Sequence, residues 1–464
     1  MLMFVRRATL SCFCKLLTTS VSSHACIVTA VNRIMSTGCQ DYDEKVVPKD
    51  EVIRFIQDCM CKAGTTLEDA YTVGHHLMIA DYRGHFSHGM NRMQMYVKDI
   101  ENRITDPIAR PQIVTDFQAI ALVDGKNALG QVVGKYCMDL AVEKAKKFGI
   151  GMVAARGSNH YGICGYYTMM AMEQDLIGFN CTNTSPLMAP TRSVKAGLGT
   201  NPLSLGMATG DGDEFLLDMA TTTVALGKIE LAIRKEEDIP EGWALGPDGK
   251  VTRDAEEAFK ASLLMPLGGS ERNSGYKGYG LALMIEILCG ILSGSQFGPN
   301  IRPWKTGDRV ANLGQCFMAI NPEVFASGSK ERLSILLKQL RDLPAAGEEP
   351  ILIAGDPERH HMKKVDREGT VCRIIKQNSC ADAAFDSSSG YQSLSRENKC
   401  KRLKMLTFVF NFFRFEKHVN IERAKKLIYF TRGLPCMKVE VCFIIIFYRG
   451  NFNKIFFNVK HLAL

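Results

Sequence analysis

The sequence predicts a mixed α/β or α+β fold in two or three layers, and three observations support this. Helical periodicity comes first along the chain, and short apolar strands then alternate with further helices. The chain has no internal repeat. No G-x-G-x-x-G follows a strand, because the nearest segment, residues 197–202, lacks the last glycine. The sheet is therefore predicted without the usual Rossmann fingerprint.

The individual elements follow from apolar spacing and from start and stop signals. Helical patterns occupy residues 48–80, 88–100, 132–148, 166–174, 221–234, 279–293 and 331–343. Strand patterns occupy residues 119–123, 151–155, 177–182, 215–218 and 310–320. Residues 236–275 are rich in Gly and Pro and are predicted as a long loop, and Gly290 is predicted to break the helix that contains it.

Composition is that of an ordinary soluble protein. The chain has 464 residues, of which 46% are hydrophobic and 23% charged. The net charge of +8 is uneven, since residues 1–40 carry +4 and residues 372–464 carry +11, which leaves −7 for residues 41–371. The central region is mildly acidic, so a nucleic-acid surface is not predicted there.

The first 40 residues, the length of the apolar runs and the cysteines bear on where the protein is located in the cell. Residues 1–40 are rich in Ser, Thr and Arg and lack acids, which is typical of a mitochondrial transit peptide; the alternative is a start at Met35 and a cytoplasmic protein. No apolar run reaches the roughly 18–20 residues of a membrane helix. The 16 Cys form no C-x-x-C pair, so free thiols in a reducing compartment and no metal site are predicted.

The first group of polar residues lies in 83–96. His88, Arg92 and Tyr96 are spaced i, i+4, i+8 and would share one helix face, with Ser87 as the N-cap. The guanidinium of Arg92 could grip a substrate carboxylate with two hydrogen bonds. The alternative is a surface helix on which these polar residues align by chance.

The second group is the glycine-rich segment 156–165, which follows a strand and leads into a helix. His160 within it is a candidate general acid/base, because the pKa of imidazole lies near neutrality. Backbone N–H groups at such a helix start can also bind anions. The alternative is a structural histidine bonded to the backbone.

Three further segments are candidates for cofactor contacts. The loops at Asn183 and Asn201 offer small polar groups for phosphate or ribose, although ordinary turns explain them equally well. Asp218 stands at a strand end, where it could orient an imidazole. Lys277 lies in a glycine-rich lead into a helix and could meet a phosphate or carboxylate; the alternative is a simple loop.

Taken together, these segments resemble the type-2 malate/L-lactate dehydrogenase family, and the resemblance runs from about Val47 to about Val371. It is carried by several motifs in order: Ser87-His88-Gly89 with Arg92 and Tyr96, Gly157-Ser158-Asn159-His160-Tyr161-Gly162, Asn183-Thr184-Ser185-Pro186, Gly199-Thr200-Asn201-Pro202, Asp218-Met219-Ala220-Thr221, Tyr276-Lys277-Gly278-Tyr279-Gly280 and Gly355-Asp356-Pro357-Glu358.

The resemblance implies a non-Rossmann nucleotide-binding mixed sheet, a helical domain built from the chain ends, and an intertwined homodimer. It implies NAD or NADP as cofactor and a small 2-hydroxy or 2-oxo acid as substrate. Ser87, His88 and Arg92 would belong to the active site, with His160 near the reacting carbon. With the loop residues above, the predicted cofactor-binding set is Cys164, Gly165, Tyr166, Asn183, Asn201, Asp218, Met219, Ala220, Lys277, Gly355 and Asp356.

The predicted reaction moves a hydride between a 2-hydroxy acid such as malate or lactate and the nicotinamide. Arg92 anchors the substrate carboxylate, and His160 exchanges the hydroxyl proton. The competing acid/base is His88, supported by Ser87 and Asp218. Two other functions stay open: a cyclic-imine reductase on the same scaffold, and a catalytically inactive homologue that acts as a binding protein.

The chain divides into regions on the same basis. Residues 1–40 are a transit peptide or a non-native extension, and residues 44–371 are the dehydrogenase region. The latter comprises a helical part at 44–115, an α/β part at 116–330 and a return segment at 331–371. Residues 372–464 depart from the family pattern, are rich in Phe, Lys, Asn and Ile, and are expected to be disordered.

Overall fold

The computed structural model describes residues 47–303 and 306–368, together with three strands within 427–460. The chain separates into two units, residues 1–385 and 386–464. The interpretation of residues 1–40 as a transit peptide or extension lies outside the described residues and stays a prediction.

Most helices of the first unit agree with the sequence pattern, but those at Ala255–Ala261 and Asp356–Glu368 were not predicted. They are α1 Lys49–Lys62, α2 Leu67–Tyr82, α3 Met93–Glu101, α4 Gly130–Phe148, α5 Cys164–Met172, α6 Leu226–Lys235, α7 Ala255–Ala261, α8 Gly275–Glu286, α9 Ser329–Arg341 and α10 Asp356–Glu368. A 3₁₀ turn at Met90–Arg92 leads into α3. Helix α8 continues as a π-helix at Ile287–Ile291, so Gly290 does not break it as predicted.

A seven-stranded mixed sheet forms the centre of this unit, in the order β1-β2-β3-β10-β4-β5-β6. Its strands are β1 Gln112–Phe117, β2 Ile120–Asp124, β3 Ile150–Ser158, β4 Ile177–Thr182, β5 Leu203–Ala208, β6 Glu214–Met219 and β10 Leu313–Ile320. Only the β2–β3 pair is parallel, and the other neighbours are antiparallel. This arrangement confirms the predicted mixed sheet.

The parallel pair is joined by α4, which crosses over and packs on the sheet. Helix α4 ends at Gly149, whose φ of 84° is left-handed and whose N–H bonds to the carbonyl of Ala145. The core between α4, α5 and the sheet is formed by Val133, Cys137, Met138, Ala141, Val153, Tyr167 and Phe317, all with no exposed surface. The core therefore fixes the end of β3 and the start of α5, between which His160 lies.

Segments from both ends of residues 47–368 build a helical layer. Val365 on α10 is buried in one cluster with Ile56 of α1 and Leu77 of α2. The Lys49 ammonium lies 2.8 Å from the Asp366 carboxylate, which ties α1 to α10 across 317 residues. This layer confirms the predicted helical part made from distant stretches of chain.

The predicted long loop at 236–275 is wrong. It contains a small sheet of β7 Ala244–Leu245, β8 Val251–Thr252 and β9 Leu263–Leu264, in the order β8-β7-β9, and it contains α7. The Asp254 side chain caps α7 by accepting from the Glu257 N–H. Two-residue strands show no periodicity, so only tertiary pairing reveals them.

In the second unit, three antiparallel strands are described: β11 Leu427–Gly433, β12 Glu440–Ile446 and β13 Ile455–Lys460. These segments differ from the disorder expected for residues 372–464, and the remainder of that range lies outside the described residues. Within the described part of the chain, no helix has the length and apolar character needed to cross a membrane.

Candidate active site

Two loops and one helix bring the candidate catalytic residues together. His88 lies in the loop after α2, Arg92 ends the 3₁₀ turn, and Tyr96 lies on α3. His160 lies in the loop between β3 and α5. The prediction that His88, Arg92 and Tyr96 share one helix face is wrong, because the chain is not helical at His88.

The turn before α3 is set by a remote carboxylate and not by Ser87. The Asp81 carboxylate accepts from the Met90 N–H at 2.8 Å. A Cβ on Gly89 would lie 1.8 Å from Asp81 Oδ1, so the backbone passes directly over this carboxylate. Ser87 is therefore no N-cap, and its hydroxyl instead lies 2.8 Å from His88 Nδ1.

His160 is the centre of the cluster. Its Nδ1 lies 2.8 Å from the Tyr96 hydroxyl. Its ring stacks on that of His88, with centroids 5.6 Å apart and planes at 23°. The Arg92 Nε donates to the carbonyl of Ser87 at 2.5 Å, which fixes the guanidinium beside His88. The structure thus assembles five of the six predicted catalytic and substrate-binding residues, and the exception is Asp218.

Electrostatics keep this cluster uncharged apart from Arg92. Burial, followed by the charge of Arg92 and the nearness of His76, lowers the pKa of His160 to about 3. Burial and the neighbouring His160 and Arg92 also lower the pKa of His88, and burial raises that of Tyr96. The cluster therefore offers neutral imidazole beside a cation, which suits proton transfer from an anionic substrate.

His76 on α2 is a site residue that the sequence analysis missed. It is completely buried, and its Nε2 accepts from the Ile163 N–H at 2.9 Å. The available signal was a pair of adjacent histidines, His75 and His76, within an apolar helix. Nothing local indicates that one of them contacts a loop 87 residues away.

Asp218 does not orient a catalytic imidazole, contrary to the prediction. Its carboxylate accepts from the Gly165 N–H at 2.6 Å and so binds the start of α5. Burial raises the pKa of Asp218, while the nearby His85 opposes that rise. The helix start that was predicted to bind an external anion therefore already holds a carboxylate of this chain.

Three of the predicted cofactor segments converge. Gly165 contacts Asp218 at the end of β6. Gly355, which directly precedes α10 and has a φ of 101°, lies against the Leu216 carbonyl of β6. Arg83 is buried near Asp218, and it donates to the thioethers of Met169 and Met362 at 3.5 Å each. Thioethers are weak acceptors, so a buried guanidinium keeps donor capacity in this region.

Other predicted cofactor side chains point into the protein. The Cys164 thiol lies 2.9 Å from the buried Tyr161 hydroxyl, and the Tyr166 hydroxyl lies 3.0 Å from His75 Nδ1. Met219 packs on the core cluster that contains Cys181. The backbone of these segments and the half-buried Ala220 remain for a ligand.

Asn183 and Asn201 do not present their side chains to a cofactor as predicted. The amide of Asn183 donates to Glu286 Oε1 at 3.0 Å, and that of Asn201 donates to Glu286 Oε2 at 2.7 Å. Their remaining amide hydrogens go to the carbonyls of Gln296 and Ala282. Both side chains thus serve a buried carboxylate, because folding brings Glu286 between their two loops.

Asp356 and Lys277 also differ from expectation. The Asp356 carboxylate bonds Arg341 at 3.0 Å and Arg359 at 2.5 Å, and it accepts from the Ile353 N–H. It therefore holds the return segment together and leaves only the adjacent backbone for a ligand. Lys277 is exposed on α8, and no contact in the described residues joins it to the other candidates.

Comparisons with known proteins agree with the fold. Residues 47–374 match the family profile described as malate/L-lactate dehydrogenase. A malate dehydrogenase of Pyrococcus abyssi is 46% identical over 299 residues, which are 64% of this chain and 82% of that protein. An L-sulfolactate dehydrogenase of Methanocaldococcus jannaschii is 41% identical over 317 residues, 68% of this chain and 89% of that protein. The crystal structure of a malate dehydrogenase from Entamoeba histolytica matches with a TM-score of 0.69 at 31% identity, covering 76% of this chain and 99% of the other.

Proposed function

We propose, on the premise that the chain is a hydroxy-acid oxidoreductase belonging to the malate/L-lactate dehydrogenase family, that it transfers a hydride between a small 2-hydroxy acid and NAD or NADP. The substrate proposed is malate or a close analogue with a second acidic group. The names of the relatives, malate and sulfolactate dehydrogenase, support this choice.

One observation carries the assignment of catalytic roles: His160 is bonded to Tyr96, stacked on His88 and influenced by the charge of Arg92. A neutral imidazole beside a fixed guanidinium is the arrangement that a 2-hydroxy acid needs. Its carboxylate requires a cation, and its hydroxyl requires a base within hydrogen-bond reach.

The residues present fit a dinucleotide cofactor. Glycine at 165 and 355 lets the backbone come close to Asp218 and to the Leu216 carbonyl of β6, since a Cβ would lie 2.9 Å from Asp218 Oδ2 at Gly165 and 3.4 Å from that carbonyl at Gly355. The buried Arg83 supplies donors for an anionic group, and the Asp218 carboxylate is an acceptor of the kind that binds ribose hydroxyls. When bound, a nicotinamide supplies or accepts the hydride.

In the oxidation direction, Arg92 binds the substrate carboxylate. Tyr96 bonds to Nδ1 of His160, and the imidazole of His160 is proposed to take the hydroxyl proton at Nε2. The charge of Arg92 disfavours protonation of His160 in the free protein. A bound carboxylate offsets that charge, so the proton affinity of His160 rises once substrate is in place. Reduction reverses these steps, with the imidazolium donating its proton to the carbonyl oxygen.

His88 is the second imidazole of the site and is proposed to bind the substrate hydroxyl rather than to act as the base. Its Nδ1 is engaged by Ser87, and its ring lies flat against that of His160. The earlier alternative, in which Asp218 supports His88 as the base, loses its basis because Asp218 bonds Gly165.

The proposed functional unit is a homodimer that covers the apolar face of α8 and its π-helical continuation. Leu283, Ile287 and Ile291 are exposed there at spacings of one helical turn, and Tyr276 and Met284 are further exposed large side chains of the same segment. A contiguous exposed apolar patch of this kind indicates an interface. Sedimentation of the Ile287→Glu variant tests it, and an unchanged mass would argue against this face.

Steady-state kinetics of the full chain test the proposed reaction. Malate, lactate and sulfolactate are each measured with NAD and with NADP, and the matching 2-oxo acids with the reduced cofactors. A cyclic imine is included, because the same assay separates imine reduction from hydroxy-acid oxidation. Turnover of at least one 2-hydroxy acid is expected, and no turnover with any pair would contradict the proposal and favour an inactive binding protein.

A further inference from the structure

His76 touches the loop that carries His160, yet it is outside the substrate cluster. Its side chain has no exposed surface, and Nε2 accepts from the Ile163 N–H at 2.9 Å. Because Nε2 is the acceptor, the proton of this neutral imidazole is on Nδ1. That Nδ1–H has no hydrogen-bond partner among the described residues. The ring is thus held in a single tautomer by one loop contact.

The loop backbone fits closely against this ring. Gly162 has a φ of 86°, and a Cβ there would lie 2.0 Å from His76 Nε2, so only glycine allows the approach. The Tyr167 hydroxyl donates to the preceding carbonyl, that of Tyr161, at 2.6 Å. Consecutive peptide groups directly after His160 are therefore fixed from two sides.

Histidine here leaves one buried donor, Nδ1–H, unpaired but supplies the acceptor for the Ile163 N–H, which an apolar side chain of similar size would leave unpaired. The ring is also close to His88 and His75, whose nearness together with burial lowers the pKa of His76 to about 3. His76 consequently stays neutral beside the two catalytic imidazoles and adds no competing charge.

We propose that His76 is a positioning residue: through the Ile163 N–H and the Gly162 contact it sets the orientation of the His160 imidazole against Tyr96 and His88. This inference rests on the proposed function, because it requires His160 to be the acid/base. His76 itself contacts neither substrate nor cofactor.

The test compares three variants of the full chain. His76→Leu removes the acceptor, whereas His76→Gln places an amide oxygen at nearly the same reach as Nε2. Leu77→Ala is the matched control, since Leu77 is equally buried on α2 but packs in the helical core. His76→Leu is expected to lower kcat about 10²-fold with little change in KM, because small misplacement of a catalytic group has costs of this order. His76→Gln restores most of kcat, and Leu77→Ala lowers thermal stability while the folded protein keeps its kcat.

A second measurement does not depend on turnover. Hydrogen exchange of the peptide containing Ile163 is expected to speed up in His76→Leu and to remain slow in His76→Gln. Unchanged kcat in His76→Leu, in a protein where His160→Ala is inactive, would overturn the positioning role alone. Full activity of His160→Ala would overturn the proposed function, and the exchange data would still show whether His76 fixes the loop.

Discussion

The cluster around His160 and the network around Glu286 are built from similar polar residues in glycine-rich segments, but they use their hydrogen-bonding capacity differently. The Glu286 carboxylate accepts hydrogen bonds from the amides of Asn183 and Asn201 and from the Gly298 N–H. Both asparagines donate their remaining amide hydrogens to backbone carbonyls. At His160 the side chain bonds to the Tyr96 hydroxyl and the residue is only half-buried, whereas Glu286, Asn183 and Asn201 are buried. Burial, rather than residue type, separates the structural network from the reactive one.

The largest expected effect is on turnover at the reactive cluster. His160→Ala should lower kcat by about 10²–10⁴-fold, the usual contribution of a general acid/base. His88→Ala should have a smaller effect, because its proposed role is to bind the hydroxyl. Steady-state kinetics on both variants decide the assignment, and a larger loss in His88→Ala would reverse the two roles.

The Glu286 network should respond in stability instead. Glu286→Leu leaves three buried donors without an acceptor, and each such group costs about 1–3 kcal/mol. The free energy of unfolding in urea should therefore fall by roughly 3 kcal/mol or more, while the folded protein retains its kcat. Glu286→Gln keeps one acceptor oxygen and should lose less. Equal losses in the two variants would show that the carboxylate is not what holds the loops.

Arg92→Lys probes the substrate side of the cluster. Lysine keeps the charge but loses the two-pronged geometry, and a hydrogen bond to a charged group contributes about 1.5–3 kcal/mol. We expect kcat/KM for the 2-hydroxy acid to fall by about 10-fold or more, mostly through KM. A change in kcat alone would indicate that Arg92 acts on His160 and not on the carboxylate.

The last expected effect is the acid sensitivity contributed by His76. Its folded pKa of about 3 lies below the value of about 6.5 in an unfolded chain. Below pH 6.5 the unfolded state therefore binds a proton that the folded state does not, and stability falls as the pH falls toward 3. The slope is about 1.4 kcal/mol per pH unit for one histidine. Urea unfolding at pH 7 and pH 5 should show a shallower acid loss in His76→Gln than in the unchanged protein.

Much of the fold was predictable because its signals are local. The strand at 177–182 coincides with β4, and the amphipathic pattern of 48–80 gives α1 and α2. The stop at Gly149 ends α4 for the expected reason, a left-handed cap. Two-residue strands such as β7 lack any repeat, and they depend on neighbours far along the chain.

The site was predictable in its catalytic types but less so in its contacts. His88, Arg92, Tyr96 and His160 do assemble, although the predicted helix face is absent. The Asp81 carboxylate, and not the predicted Ser87, accepts from the backbone at the turn before α3. The Asp218 carboxylate, and not a ligand, accepts from the Gly165 N–H at the start of α5. In each case a carboxylate from another element accepts the backbone N–H, nine residues away for Asp81 and 53 residues away for Asp218, and the local sequence pattern contains no signal for such pairing.

The contact between α1, α2 and α10 has a consequence for synthesis on the ribosome. Ile56 and Leu77 pack in the same buried cluster as Val365, and Lys49 forms an ion pair with Asp366. Translation must deliver almost 300 further residues before that surface can be closed. Until then the first two helices expose apolar side chains, which is the situation in which nascent chains recruit chaperones. Contacts so distant in sequence also predict slow folding. Loss of α10 by proteolysis would expose the apolar side chains of α1 and α2 that pack against Val365.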